Sequence, residues 1–298
     1  PDIGNQPGDT AVETVMLDAD ASANIWSVRN SNRSIHVAAS VPGQIHLDLE
    51  SAGIIGSPFF RDNDLQQRWV TMDQWNYSRS FELPSTMLQR GVLSLRCDGL
   101  DTVTSVFLND VWVANASNQF VAIDVDIKHV AASSNRLDVV FASSPLIANM
   151  SAAAYPYHVP HATFPSGIDN ANFVRKRPSD FGWDWGPAFA TAGIWKSISV
   201  VAFDVARIMS VSAEVLLERA TNTNNKNNNN NNNNVATRET TRDTSWPPSY
   251  PLQDDDCFKV VVLTTIVCGN VSAATPITVS HTLEHKTFST SVMCVIGK

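Results

Sequence analysis

Over much of residues 34–141, and again at 194–201, apolar and polar residues alternate one by one, in short runs broken by turn residues. A period of two puts every second side chain on one side of the chain, which suits a half-buried strand and not a helix. Ser34–Ala39 (SIHVAA) is followed by Val41-Pro42-Gly43, and Asn76–Leu83 (NYSRSFEL) stops at Pro84. Val92–Cys97 (VLSLRC), Thr104–Leu108 (TSVFL), Val111–Ala114 (VWVA), Phe120–Val125 (FVAIDV) and Leu137–Phe141 (LDVVF) continue the pattern. Asn109-Asp110 stands between two of these runs as a hairpin turn would. Gln44–Gly53 (QIHLDLESAG) is one of few helical candidates, closed by its glycine. Many short strands with few helices predict an all-β chain, built on an antiparallel sandwich of jelly-roll type. Ile194–Val201 (IWKSISVV) is the last strong strand and closes this first domain, 1–205.

Beyond residue 206 the pattern predicts strands at Met209–Leu217, Phe258–Val267 and Ile277–Leu283. They make a second, partial sandwich over 206–298. Residues 221–234 (TNTNNKNNNNNNNN) interrupt it. An asparagine run has too little apolar surface to offset its ordering entropy, so a disordered insert is expected there.

Charge narrows the function classes. A formal net charge of −8 and a pI near 5.3 argue against a nucleic-acid partner, which needs a basic face. No apolar run approaches the length of a membrane span, so no membrane partner is expected. The chain starts Pro-Asp-Ile with no apolar leader, so a signal peptide is read as removed or not included. Five Asn-x-Ser sequons, at Asn32, Asn76, Asn115, Asn149 and Asn270, tilt the reading toward the secretory pathway. Cys97, Cys257, Cys268 and Cys294 lack CxxC spacing, which excludes zinc ribbons and leaves their pairing open.

The candidate site is FGWDWGP, residues 181–187. It follows Ser143–Asp180, a long stretch with no clear period, and long loops on compact domains are usually functional. A pyranose has a face of C–H bonds that lies well on an indole, and a carboxylate accepts from two neighbouring hydroxyls. Trp183, Asp184 and Trp185 fit those roles, and the flanking glycines allow close backbone approach. The tripeptide alone reads equally well as a turn with one core tryptophan and Asp184 as its cap.

Other motifs carry less. His281-Thr-Leu-Glu284-His285 matches a zinc-peptidase pattern, but its flanks are β-branched. On a strand the two histidines stand roughly 13 Å apart, too far for one ion. No metal site is therefore expected. His158 and His161 read as an exposed loop pair. Arg175-Lys176-Arg177 reads as a solvated basic face, or as a brace for the loop or for Asp184.

Asn172-Phe-Val-Arg175-Lys176, then FGWDWGP, then Thr191-Ala-Gly193-Ile194-Trp195-Lys196 closely resemble the β-mannosidases of glycoside hydrolase family 2. Val41-Pro42-Gly43, Gly56–Asn63 (GSPFFRDN) and Trp75–Phe81 (WNYSRSF) agree in the same order, and the resemblance runs over roughly residues 15–205. It implies a galactose-binding-like jelly roll, then an immunoglobulin-like sandwich, then a (β/α)₈ barrel. It implies removal of terminal β-D-mannose with retention by two barrel glutamates, without a cofactor. The partner is then a β-mannoside oligosaccharide, contacted by Trp183, Asp184 and Trp185. A barrel needs about 250 residues, far more than follow position 205. The catalytic residues are thus expected outside this chain, on the missing barrel of the same polypeptide. The alternative is a stand-alone carbohydrate-binding protein without activity.

Overall fold

A computed structural model of the chain describes residues 12–19, 23, 25–161, 164–221, 237–241, 257–269, 275–283 and 286–294. The chain divides into two compact units, Pro1–Val205 with Gly269–Ser272, and Ala206–Cys268 with Ala273–Lys298.

Among the described residues twelve strands build the first unit: β1 (Glu13–Met16), β2 (Trp26–Asn30), β3 (His36–Ala39), β4 (Trp75–Glu82), β5 (Val92–Cys97), β6 (Leu100–Asp101), β7 (Thr104–Leu108), β8 (Val111–Ala116), β9 (Ile123–Asp126), β10 (Ser134–Phe141), β11 (Gly193–Ile194) and β12 (Ile198–Phe203). They form a four-stranded sheet in the order β1-β12-β5-β9, a six-stranded sheet in the order β3-β2-β4-β10-β7-β8, and a short β11-β6 pair. All the pairings are antiparallel.

The alternation does what period two predicts. Trp26, Val28, Trp75, Tyr77, Val106 and Leu108 are buried, while the residues between them are only half-buried. Leu93 and Leu95 of β5 and Val200 of β12 meet them in one continuous core. Trp26 and Trp75 keep their indole N–H groups satisfied by donating to Leu17 O and Val70 O. The Asn109-Asp110 turn has φ of 51° and 65°, the two left-handed residues a two-residue hairpin of this twist needs.

Among the described residues five α-helices connect the strands: α1 (Ile45–Ser51), α2 (Asn63–Gln66), α3 (Trp69–Met72), α4 (Ser85–Gln89) and α5 (Ser144–Ala154). The predicted helix is α1, and Gly53 follows it at φ 70°.

Three expectations need correction. The stretch 143–180 is not aperiodic throughout, because it opens with α5. Ser143 caps that helix by accepting from Leu146 N, and Pro145 sits in its first turn, a start signal the alanine-rich sequence after it conceals. The strand expected from Phe120 begins only at Ile123. Asn118 Oδ1 accepts from Phe120 N and bends the chain there, leaving Phe120 and Val121 exposed. Ile194–Val201 is two strands, because pairing passes from β6 to β5 while Trp195 turns to donate its indole N–H to Gln119 O.

The second unit holds β13 (Ala206–Thr221), β14 (Thr237–Thr241), β15 (Cys257–Cys268), β16 (Thr275–Leu283) and β17 (Lys286–Cys294). These form one sheet in the order β14-β13-β15 and a separate β16-β17 pair. Of the insert expected at 221–234, Thr221 ends β13, and 222–234 lie outside the described residues, as does Asn270. His281 lies on β16 opposite Phe288, while Glu284 and His285 are outside the description. Cys97 is free and buried, and Cys268 is disulfide-bonded. Among the described residues no helix is long and apolar enough to cross a membrane.

Candidate functional site

The tryptophan segment stands at the far end of a loop with its own small core. Ala148 of α5 packs with Ile168, Val174, Phe181, Ala188 and Ala190, so α5 covers the loop that follows it. Within that loop Ile168 N donates to Phe181 O at 2.8 Å and Ala190 N donates to Asp180 O at 2.8 Å. Arg68, just ahead of α3, donates to the carbonyls of Ser166 and Gly167 at 2.7 and 3.2 Å. The loop is thus pinned on both sides of the segment 182–187.

Lys176 is the principal pin. Its ammonium lies 2.5 Å from Asp101 and 2.7 Å from Asp180, and it donates to Thr191 O at 2.9 Å. The Lys176 and Asp101 side chains are both 0% exposed. Burial pushes the Asp101 carboxyl above its ordinary range, and the Lys176 ammonium pulls against that shift. Of the basic triplet, Lys176 therefore braces the loop through Asp101 and Asp180, neither a solvated face nor a partner of Asp184. Gln119 adds a second clasp, donating its backbone N–H to Arg175 O and accepting from Arg177 N at its side chain.

Between these anchors the chain turns outward. Gly182 has φ 101°, a conformation that calls for glycine, and a Cβ there would also fit tightly, 3.1 Å from Gly167 Cα and 3.2 Å from Ala188 Cβ. Asp184 is exposed, Trp183 is 54% exposed and Trp185 is 84% exposed. Neither tryptophan is a core residue. Trp183 leans on Phe164, with ring centroids 5.5 Å apart and planes tilted by 36°. Two open indole faces around one carboxylate can bind a ligand with C–H faces and hydroxyls.

His158 is exposed, while His161 is half-buried and 3.7 Å from Asp169, so the pair differs in its surroundings. No group of three or more potential ligands for a metal occurs among the described residues.

Sequence reasoning missed His46. It sits on α1 beneath the loop, in hydrogen-bond contact with Thr191 Oγ1 at 3.0 Å, with Phe189 edge-on at 5.5 Å. Burial, reinforced by the nearby Lys176 ammonium against Asp180, lowers its imidazolium to about 4. Two residues on, Asp48 accepts from Ser40 N and Tyr77 Oη, yet burial still raises its carboxyl to about 6.

These shifts act with opposite sign. A lowered base contributes stability that is lost as pH falls from about 6.5 to about 4. A raised acid contributes stability that is lost as pH rises from about 4 to about 6. Each is worth about 3 kcal/mol across its window. The two nearly cancel, so single replacements should expose opposite slopes. Asp48→Asn is expected to lose stability on acidification, and His46→Gln on raising the pH from 4 to 6. Urea unfolding across that range reads both slopes, and slopes of the same sign would refute the assignment.

A "Beta-mannosidase" of Mus musculus is 36% identical over 187 residues, 61% of this chain and 21% of that protein. A "Probable beta-mannosidase" of Caenorhabditis elegans is 33% identical over 186 residues, 60% of this chain and again 21% of the relative. This chain therefore spans about a fifth of the length of these relatives. The crystal structure of a beta-D-mannosidase from Dictyoglomus thermophilum superposes with a TM-score of 0.62 at 25% identity, over 85% of this chain and 31% of that one. Residues 26–196 match the family described as "Glycosyl hydrolase 2 galactose-binding domain-like", and the chain belongs to that family.

Proposed function

We propose that this chain supplies the substrate-contacting loop of a retaining β-mannosidase, which removes terminal non-reducing β-D-mannose from glycoprotein-derived oligosaccharides. Trp183 and Trp185 offer ring faces to the mannose, and Asp184 accepts from its hydroxyls. The acid/base and nucleophile are two glutamates on a (β/α)₈ barrel carried elsewhere in the same polypeptide. Residues 1–205 form the jelly roll and 206–298 part of an immunoglobulin-like sandwich, interrupted at 221–234. The enzyme needs no cofactor and works in the lysosome or outside the cell. Exposure of the sequon residues Asn32, Asn115 and Asn149 supports a route through the secretory pathway.

The observation that carries this reading is the outward presentation of two tryptophans on a loop whose base is fixed by a buried ion cluster. Exposed indoles are costly to leave in water unless something covers them. The β-mannosidase relatives support the choice of sugar.

The test uses an aryl β-mannoside. The 298-residue chain is expected to show no turnover, and the barrel-containing polypeptide is expected to release β-mannose first, as seen by NMR of the nascent anomer. Release of the α-anomer, or turnover by the short chain that survives purification controls, sinks the proposal. A gene product with no barrel would leave the stand-alone sugar-binding reading in its place.

A further inference from the structure

Among the sequons whose asparagine is described, Asn115-Ala116-Ser117 is set apart by the residue beside it. Asn115 lies on β8, the strand that ends the six-stranded sheet. β8 pairs with β7 through a bulge, with Trp112 opposite Phe107, Asn115 opposite Ser105, and a register shift between Val106 and Phe107. On a regular strand residues 112 and 115 would face opposite sides of the sheet, and the bulge brings them to one. That side faces outward, because Thr104, Val106 and Leu108, the alternate residues of β7, are buried.

Trp112 is 56% exposed, and its indole N–H donates to Asn115 Oδ1 at 3.0 Å. Ser105 Oγ donates to the same oxygen at 3.0 Å. An indole N–H can only donate, so it fixes which amide atom is the oxygen. Nδ2 is therefore the free end of the amide and donates to no described residue. Ser117, just past the end of β8, is exposed, so the hydroxyl that the sequon requires is open as well. The other sequons differ. Asn76 is half-buried and uses its Nδ2 on Asp138 at 3.1 Å. Asn32 and Asn149 are exposed, but their side-chain oxygens accept from Ser34 N and Asn170 Nδ2, with no indole at either.

The geometry points to Asn115 as the attachment site of an N-linked oligosaccharide whose first N-acetylhexosamine lies over the open face of Trp112. This rests on the secretory route proposed above. The donor is an oligosaccharide carried on a lipid diphosphate, and the host's lumenal oligosaccharyltransferase performs the transfer. Asn115 Nδ2 attacks the anomeric carbon; the C–N bond forms as the bond from that carbon to the diphosphate oxygen breaks. The amide nitrogen loses one proton and the lipid diphosphate leaves. The attached sugar packs its C–H face on the indole. It also sets a bulky, hydrated group beside the last strand of the sheet, where pairing between copies would otherwise begin.

The experiment gives the 298-residue chain a removable secretion signal and produces it in a eukaryotic host. Mass spectrometry maps its peptides before and after a glycan-removing amidase acts in heavy-oxygen water. Asn115 is expected to carry a glycan in most chains, and Ser117→Ala is expected to remove that glycan and no other. Thermal unfolding then compares the unaltered chain, Ser117→Ala, Trp112→Ala and the double variant. Losing the glycan should lower the melting temperature by about 2–4 °C when Trp112 is present, and by little when it is absent. Direct effects of Ser117 and of glycans elsewhere cancel in this cycle. A bare Asn115 in the secreted chain overturns the site, whatever the other sequons carry. An occupied Asn115 with equal shifts in both backgrounds overturns the contact with Trp112. If the secreted chain is occupied at Asn115 but the polypeptide from its native source is bare at every sequon, the secretory route fails and the acceptor site stands.

Discussion

Lys176→Met is expected to lower the unfolding free energy of the first unit by about 3–5 kcal/mol. The side chain lies at 0% exposure against Asp101, also at 0%, and also neutralises Asp180. Methionine fills much of the volume but strands the Asp101 carboxylate, leaving it the Thr102 hydroxyl and Arg177 at 3.7 Å. A buried charge that loses its partner costs far more than the pair itself contributes. For a unit of this size the change corresponds to a drop in melting temperature of about 6–20 °C. Adding Asp101→Asn should recover part of the loss, because the stranded charge is then removed as well. Thermal unfolding of the two single variants and the double variant closes the cycle. A loss below about 1 kcal/mol for Lys176→Met would mean that Asp101 is hydrated, and the buried pin would be wrong.

That pin also explains which parts of the molecule could be read from the sequence. β7 is legible because its environment repeats every second residue, and the alternation of Thr104–Leu108 carries its own register. The Asn109-Asp110 turn is legible because its backbone needs a residue type, not a distant partner. Lys176 and Asp101 meet across 75 residues, and nothing beside either one marks it as buried. Lys176 even sits between two arginines, which makes the triplet look solvated. α5 escaped for another reason. Its sequence, SPLIANMSAAA, is mostly small and its one deeply buried alanine, Ala148, makes no periodic stripe. The tryptophan segment was legible by composition, as a turn that no core strand would use. His46 was not, since its role depends on Thr191 and Phe189 folding back over α1.

Asp184 separates a sugar contact from a turn cap. Its side chain is exposed on a segment closed by a long Gly186 N to Trp183 O contact of 3.5 Å, and among the described residues it caps nothing. On the proposed function, mannose covers it between Trp183 and Trp185 and excludes water from its hydrogen bonds. Removing a charged acceptor from such a contact costs about 2–4 kcal/mol of transition-state binding. Asp184→Ala in the barrel-containing polypeptide is then expected to lower kcat/KM by roughly thirty-fold to a thousand-fold. Asp184→Asn keeps the shape and loses the charge, so it should fall between the two. Neither change should move the melting temperature, because the loop's anchors lie at Lys176, Arg68 and Gln119 and not at Asp184. A cap would behave in the opposite way, costing about 1 kcal/mol of stability and sparing turnover. Measured together, kcat/KM and melting temperature leave no overlap between these outcomes. Unchanged kinetics with a lowered melting temperature would remove Asp184 from the sugar site and leave the two exposed indoles without the polar partner that fixes a pyranose in place.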